Sequence, residues 1–478
     1  MSTTLAPATS ISPGAAVGAG VGAVVVIAAL VVLLRRRADA FPLLAILALP
    51  FRLPISADGR PVNLLIPLYL VVAAGVLAHL LPSLLAREQR GLGTLEWLLL
   101  ASIALYAVQA LYSADKAKAG ENLAFFYVPF ALLFLLLRDV RWTQELLLRC
   151  LAIAVALAVV FAGVGFVEYA RKELFLNPKV VAANQYDNYF RVNSLFFDPN
   201  VYGRFLALVM IALSAVVLWR RSERDVLAAG AVLLWLLAGL VTSFSQSSIA
   251  ALLLGLAVLA AYRWDVRATL YAAGALVVAG LLVVALAPAS LHFGLKGNGG
   301  SASNATSGRT KLIEGGLELS AERPLQGYGS GSFQTAYERH SATGAQNATS
   351  ASHTIPVTVA AEQGIVGLAL YVALLVVAFV TLLRGAGRPP PAAGGSDAAT
   401  LAVGGDAVTL AVARVVIAAC FAALVLHTFA YADFLEDPMT WTLLGIGVAL
   451  VRARPAAEPR AQRRAAADGG AVAALAPE

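Results

Sequence analysis

The chain is poor in charge. Of its 478 residues only 13% are Asp, Glu, Lys or Arg and 59% are apolar, where about a quarter charged is usual for a water-soluble domain. So few charges cannot cover a soluble surface, and a mean hydropathy of +0.78 excludes a soluble enzyme or a free nucleic-acid-binding domain. Cysteine is almost absent. The two present, Cys150 and Cys420, lie in or beside apolar blocks, which excludes a disulfide framework and a thiolate metal site. No period of about 20 to 50 residues recurs, so a repeat solenoid is excluded. The glycine turn GYGSGSF lacks the GK[ST] ending of a phosphate-binding loop, which argues against ATP.

What is present is a series of apolar blocks of about 17 to 25 residues, the length a helix needs to cross roughly 30 Å of hydrocarbon. The formal charge of +7 comes from arginines clustered between blocks, a topology signal rather than a nucleic-acid patch. Placing these clusters on one face gives a consistent alternation. The first block, near 15 to 34, ends in Arg35, Arg36 and Arg37 with no basic region ahead of it. It reads as a retained membrane helix, not a cleavable signal. Further helices are expected near 62–85, 94–113, 121–137, 145–168, 199–219, 226–242, 247–262, 268–288, 355–383, 407–432 and 438–452. A Pro-interrupted segment at 41–56 makes the count about thirteen if it crosses and about twelve if it is re-entrant.

The expected fold is therefore all-α, a polytopic transmembrane bundle with a long extracytoplasmic loop containing short helices. Its expected parts are N-terminal transmembrane helices at 1–168, a core at 169–385 with outer loops 169–198 and 289–354, a flexible cytoplasmic linker at 386–406, C-terminal transmembrane helices at 407–452 and a disordered cytoplasmic tail at 453–478. The linker and tail are rich in Pro, Gly and Ala and cannot bury enough to order themselves.

Polar residues not needed for solubility gather on the outer side. In RVNSLFFDPNVYGRF, Asp198 and Pro199 suit a helix start, as cap and first-turn residues. Arg191, Asn200 and Arg204 are also candidates for binding an anion, because a cation inside a span needs a partner and a helix N-terminus favours phosphate. Ser245 and Gln246, in SFSQSS, serve either the same binding role or close helix packing. The loop 289–354 is longer than a connection requires. Within it, Leu312, Ile313, Leu317 and Leu319 in SGRTKLIEGGLELS have helical spacing, predicting a short amphipathic helix that carries Arg309 and Lys311. Of the five histidines, His353 stands at the mouth of the helix beginning near Ile355, where an imidazole suits general-base work.

The order and spacing of RVNSLFFDPNVYGRF, SFSQSS, GRTKLIEGGLELSAERPLQGYGSGSF and ASHTIPVTVAAEQGIVGLALYVALL, from about 190 to 385, resemble the O-antigen ligase and polymerase superfamily of bacterial envelope glycan assembly. The resemblance implies a metal-independent glycosyltransferase without cofactor. Such an enzyme transfers a glycan from undecaprenyl diphosphate to an acceptor hydroxyl of a glycan, lipid or protein, at the outer face of the bacterial cytoplasmic membrane. It also implies that His353 is the base and Arg309 holds the diphosphate. Many relatives have Ser-Arg where this chain has Ser245-Gln246, so Arg191 or Arg204 is expected to stand in. A repeat-unit polymerase of the same superfamily is the alternative. A transporter or flippase calls for charges deep in several spans and internal two-fold repetition, and the sequence shows neither.

Overall fold

The computed structural model describes residues 13–57, 60–87, 91–175, 190–219, 222–264, 302–340, 352, 354–384 and 398–453, with scattered positions between 266 and 271. The chain is a multi-pass helical membrane protein. Its helices in order are α1 (Pro13–Arg36), α2 (Ala40–Ala48), α3 (Ile66–Leu85), α4 (Thr94–Ala110), α5 (Lys116–Arg138), α6 (Gln144–Arg171), α7 (Pro199–Trp219), α8 (Glu223–Thr242), α9 (Gln246–Arg263), α10 (Ala302–Glu322), α11 (Phe333–His340), α12 (Ile355–Leu383), α13 (Ala398–Phe429) and α14 (Pro438–Arg452). Eight of them, α3, α5 to α9, α12 and the Val408–Phe429 part of α13, are long and apolar enough to cross a membrane. The helix expected near 268–288 lies outside the described residues.

Two expectations are corrected. The segment 41–56 crosses the bundle, but not as a single helix. The nine-residue α2 and an extended stretch carry the chain from the arginine-bearing end of α1 to the opposite end of the bundle. There β1 (Leu53–Ala57) pairs antiparallel with β2 (Arg60–Leu64), placing Leu53 opposite Leu64. Prolines at 50, 54 and 61 remove helix donors, which is why helix gives way to hairpin. The second correction concerns the linker. Residues 398–406 are already helical and lengthen α13, starting in Ala398, Ala399, Leu401 and Ala402, which are good helix formers.

Lipid offers no hydrophobic force between helices, so the bundle is held by packing and hydrogen bonds. One buried cluster joins α3, α5, α12, α13 and α14 around Phe134, Phe421 and Trp441, and another surrounds α7 with α6, α8, α9 and α13. Small residues permit close approach: a Cβ on Gly203 of α7 would lie 2.7 Å from Ser248 Oγ of α9. Ser248 and Ser243 thus pack closely against α7. In α5, Pro129 cannot donate to the carbonyl of Phe125, and Tyr69 Oη of α3 donates to it instead at 2.7 Å. The backbone widens to a π turn over Leu123–Tyr127 at this point.

The decisive irregularity is in α12. Gly364 has φ 64° and ψ −164°, so the helix breaks there. A break inside a membrane helix requires new partners for the freed backbone groups, and the turn after α10 supplies them. Tyr328 N donates to Ala361 O at 3.0 Å, Gly329 N donates to Glu362 O at 2.8 Å, and Ile365 N donates to Pro324 O at 2.8 Å. Gln109 Nε2 of α4 donates to Gln363 O at 3.3 Å. A side chain at Gly364 would bring its Cβ within 2.3 Å of the Leu325 carbonyl. We therefore expect Gly364→Ala to lower stability in detergent by at least about 2 kcal/mol, seen as a fall in unfolding temperature. Gly230→Ala, where a Cβ meets nothing within 4 Å, leaves it unchanged.

Candidate active site

A cavity of about 500 Å³ opens at the end of the bundle where α4 finishes and α5, α12 and α14 begin. It is walled by Ser102 and Tyr106 of α4, by Asp115 and by Lys118, Glu121 and Asn122 of α5, by Gly331 and Gln334 of the long loop, by Ile355, Thr358, Glu362 and Gln363 of α12, by Asp433 and Glu436 of the α13–α14 turn, and by Arg52. The opposite ends of the same helices carry arginines. Arg138 of α5 and Arg452 of α14 both meet Glu96 of α4, and Arg414 donates to the Arg384 carbonyl. The cavity is thus at the face opposite the arginine clusters.

Glu362 fastens the long loop to this cavity. Its carboxylate accepts from Gly331 N at 2.8 Å and from Phe333 N, the first residue of α11, at 2.9 Å. Gly327, Gly329 and Gly331 all have positive φ, and a Cβ on Gly329 would lie 2.3 Å from Ser113 Cα. Glycine is needed here for both conformation and clearance. The expected amphipathic helix is α10. Leu312 and Leu319 are buried, whereas Leu317 is exposed. A Cβ on Gly316 would lie 2.6 Å from Val357, so α10 packs directly on the first turn of α12.

The turn between α13 and α14 is the acidic wall. Asp437 caps α14, accepting from Met439 N at 2.9 Å, and its other oxygen forms an ion pair with Arg204 Nη2 at 2.8 Å. Arg204 is 1% exposed and Asp437 0%. Arg204 Nη1 also donates to the carbonyls of Ala432 and Asp433 at 3.4 Å. Burial raises the Asp433 carboxyl despite the opposing pull of Arg204 and Arg52. Burial first, then the Asp433 and Glu362 carboxylates, push Glu436 up to about 8. Glu436 Oε1 accepts from Asn122 Nδ2 at 2.9 Å.

The expected site residues fall into separate groups. Arg191, Asn200 and Ser245 form one hydrogen-bonded cluster: Arg191 Nη2 and Ser245 Oγ donate to Asn200 Oδ1 at 3.3 and 2.9 Å, and Arg191 Nε donates to Ser243 O at 3.1 Å. The Glu168 carboxylate holds the backbone before it, accepting from Asn193 N and Ser194 N. Asp198 accepts from Asn200 N at 2.6 Å, the helix-start role expected of it. Gln246 is exposed at the start of α9. None of these residues lines the cavity, and Arg204 already has its counter-charge within the protein. His353 lies outside the described residues, as do the side chains of Arg309 and Lys311, whose backbone lies in α10. Ile355 and Thr358, just beyond His353, line the cavity.

Sequence reasoning missed Glu362, Asp433, Glu436, Asn122 and Arg52. Two signals were available: Glu362 is a lone acid inside an apolar span, which is a functional hypothesis by default, and YADFLEDPM gathers three acids between two spans.

Residues 231–372 match the family model described as O-antigen ligase. No curated protein matches the chain.

Removing one partner of a buried ion pair costs about 3–5 kcal/mol. Asp437→Asn, which keeps the cap acceptor and removes the charge, is expected to destabilise by that order in thermal unfolding, and adding Arg204→Met recovers most of the loss. A second expectation concerns pH. Glu436 keeps its proton to about 8 in the fold against 4.5 otherwise, so its stabilising contribution is present in acid and is lost as pH rises through that window. Unfolding temperature should fall as pH rises from about 5 to about 8, and Glu436→Gln should flatten the slope.

Proposed function

We infer that the chain belongs to the O-antigen ligase and polymerase superfamily, from the match of its segment 231–372 to the O-antigen ligase family model. From that premise we propose that it transfers a glycan from undecaprenyl diphosphate to an acceptor hydroxyl, at the periplasmic or outer face of a bacterial cytoplasmic membrane. The reading rests chiefly on one observation: the matched segment contributes Gly331, Ile355, Thr358 and Glu362 to a polar cavity completed by helices from both ends of the chain. The arginines at the far ends of the same helices support an extracytoplasmic cavity, since cytoplasmic turns attract Lys and Arg.

In this mechanism the imidazole of His353 takes the proton of the acceptor hydroxyl. That oxygen bonds to the anomeric carbon as the bond from carbon to the diphosphate oxygen breaks, inverting the centre in a single displacement. Arg309, with Lys311 nearby in sequence, neutralises the charge developing on the departing diphosphate, as a fixed guanidinium does best. The packing of α10 on the first turn of α12 supports a shared site for the two residues. Neither nucleotide nor metal takes part. Arg191 lies in a polar cluster beside Asn200 and Ser245 and is the remaining substitute for the arginine absent at Gln246, whereas Arg204 acts by anchoring the acidic turn. A ligase and a repeat-unit polymerase share every step and differ only in the acceptor.

The test is transfer by the purified protein with a lipid-diphosphate glycan in EDTA. His353→Ala and Arg309→Ala should each reduce the rate by about 10² to 10⁴. Full activity in both variants removes these roles, and a requirement for added metal overturns the metal-free mechanism.

A further inference from the structure

The cavity's own charges are answered within its wall. Lys118 Nζ pairs with Glu121 at 2.9 Å. Arg52 acts electrostatically on Asp433. Glu362 holds the two loop amides, and Asp115 caps α5 at Lys118 N and accepts from Thr335 Oγ1 at 3.2 Å. No cation in the wall lacks a carboxylate to act on, so a diphosphate would enter against an excess of acids.

Asn122 stands apart. It is 3% exposed and lines the cavity. Its amide hydrogens go to Tyr106 Oη and Glu436 Oε1, both at 2.9 Å, and its Oδ1 is buried with no hydrogen-bond partner among the described residues. A buried acceptor left unmet is costly, and a ligand that brings a donor relieves it. Beside it Tyr106 and Tyr127 lie 4.3 Å apart between ring centroids, and with Phe126 they give the wall an aromatic side. Hydroxyl-binding amide and carboxyl groups next to aromatic faces suit a sugar ring, and the volume is in the range of small-ligand pockets, roughly 300 to 1,000 Å³.

We propose that this cavity is the acceptor subsite and takes an uncharged, hydroxyl-bearing terminal sugar, recognised by Asn122 and Glu436, while the lipid diphosphate binds outside it. The inference rests on the glycosyl-transfer reading. It also assigns acceptor recognition to a wall built by α12, α5, α4 and the α13–α14 turn. Glu436 serves through its hydrogen-bonding atoms.

The test uses the full chain in nanodiscs, with saturation-transfer NMR on N-acetylglucosamine, glucose, glucosamine and glucose 6-phosphate, and separate binding of undecaprenyl diphosphate. Expected are signals from the neutral sugars, about tenfold weaker binding of the phosphorylated one, and loss of the sugar signal by about tenfold in Asn122→Ala and Glu436→Leu. Glu436→Gln, which keeps the oxygen that accepts from Asn122, should retain the signal. Undecaprenyl diphosphate should bind all variants as it binds wild type, which also shows that they fold. Loss of lipid binding with sugar signals intact assigns the cavity to the donor and overturns the inference. Stronger binding of glucosamine than of glucose assigns it to a cationic ligand and overturns it likewise, as does the absence of any sugar signal while the lipid binds. Failure of wild type to bind the lipid diphosphate defeats the functional reading itself.

Discussion

The architecture depends on a membrane helix that stops donating to itself for one turn. At Gly364 the ladder of α12 opens, and the carbonyls of Ala361 and Glu362 bond to Tyr328 and Gly329 of the loop. In hydrocarbon such groups have no water to fall back on, so the break persists only while the loop is seated. Conversely, the loop has little apolar surface to seat itself with, as the small cluster of Leu312, Leu319, Phe333, Ala336 and Ala361 shows. Each irregularity makes the other stable, and Glu362, lying between them, ties both to the cavity.

Charge is sorted along the bundle in the same economical way. Arginines meet Glu96 at one end and acids crowd the cavity at the other, with Arg204 the most deeply buried guanidinium among the described residues. It survives within α7 because that helix is enclosed by four others and because Asp437 meets it across the bundle. The cost of burying two charges is offset by their pairing and by the carbonyls of Ala432 and Asp433. The result is an acidic turn tied to α7 through Asp437 and Arg204.

Much of this was legible in the residues. Helices expected at 199–219, 355–383 and 438–452 begin and end at those positions, since Pro199, Pro356 and Pro438 mark first turns and Asp198 and Asp437 cap two of them. The glycine turn at 327–331 and the helix before it were legible for the same local reason. What could not be read is pairing across distance. Nothing near Arg204 in sequence points to Asp437, and a glycine at 364 looks like any other small residue in a membrane helix until its φ is known. The serines of SFSQSS read as packing residues or as a binding turn, and the close approach of Gly203 to Ser248 is a contact across helices that no local pattern gives.

The hydrogen bonds between loop and helix join mainly main-chain groups, with the Glu362 carboxylate the side chain that clasps the glycine turn. Amide and carbonyl are the same whatever side chain they carry, so the attachment places few demands on the identity of residues elsewhere in the loop. Substitutions elsewhere in the loop therefore leave the bonds of the attachment itself in place.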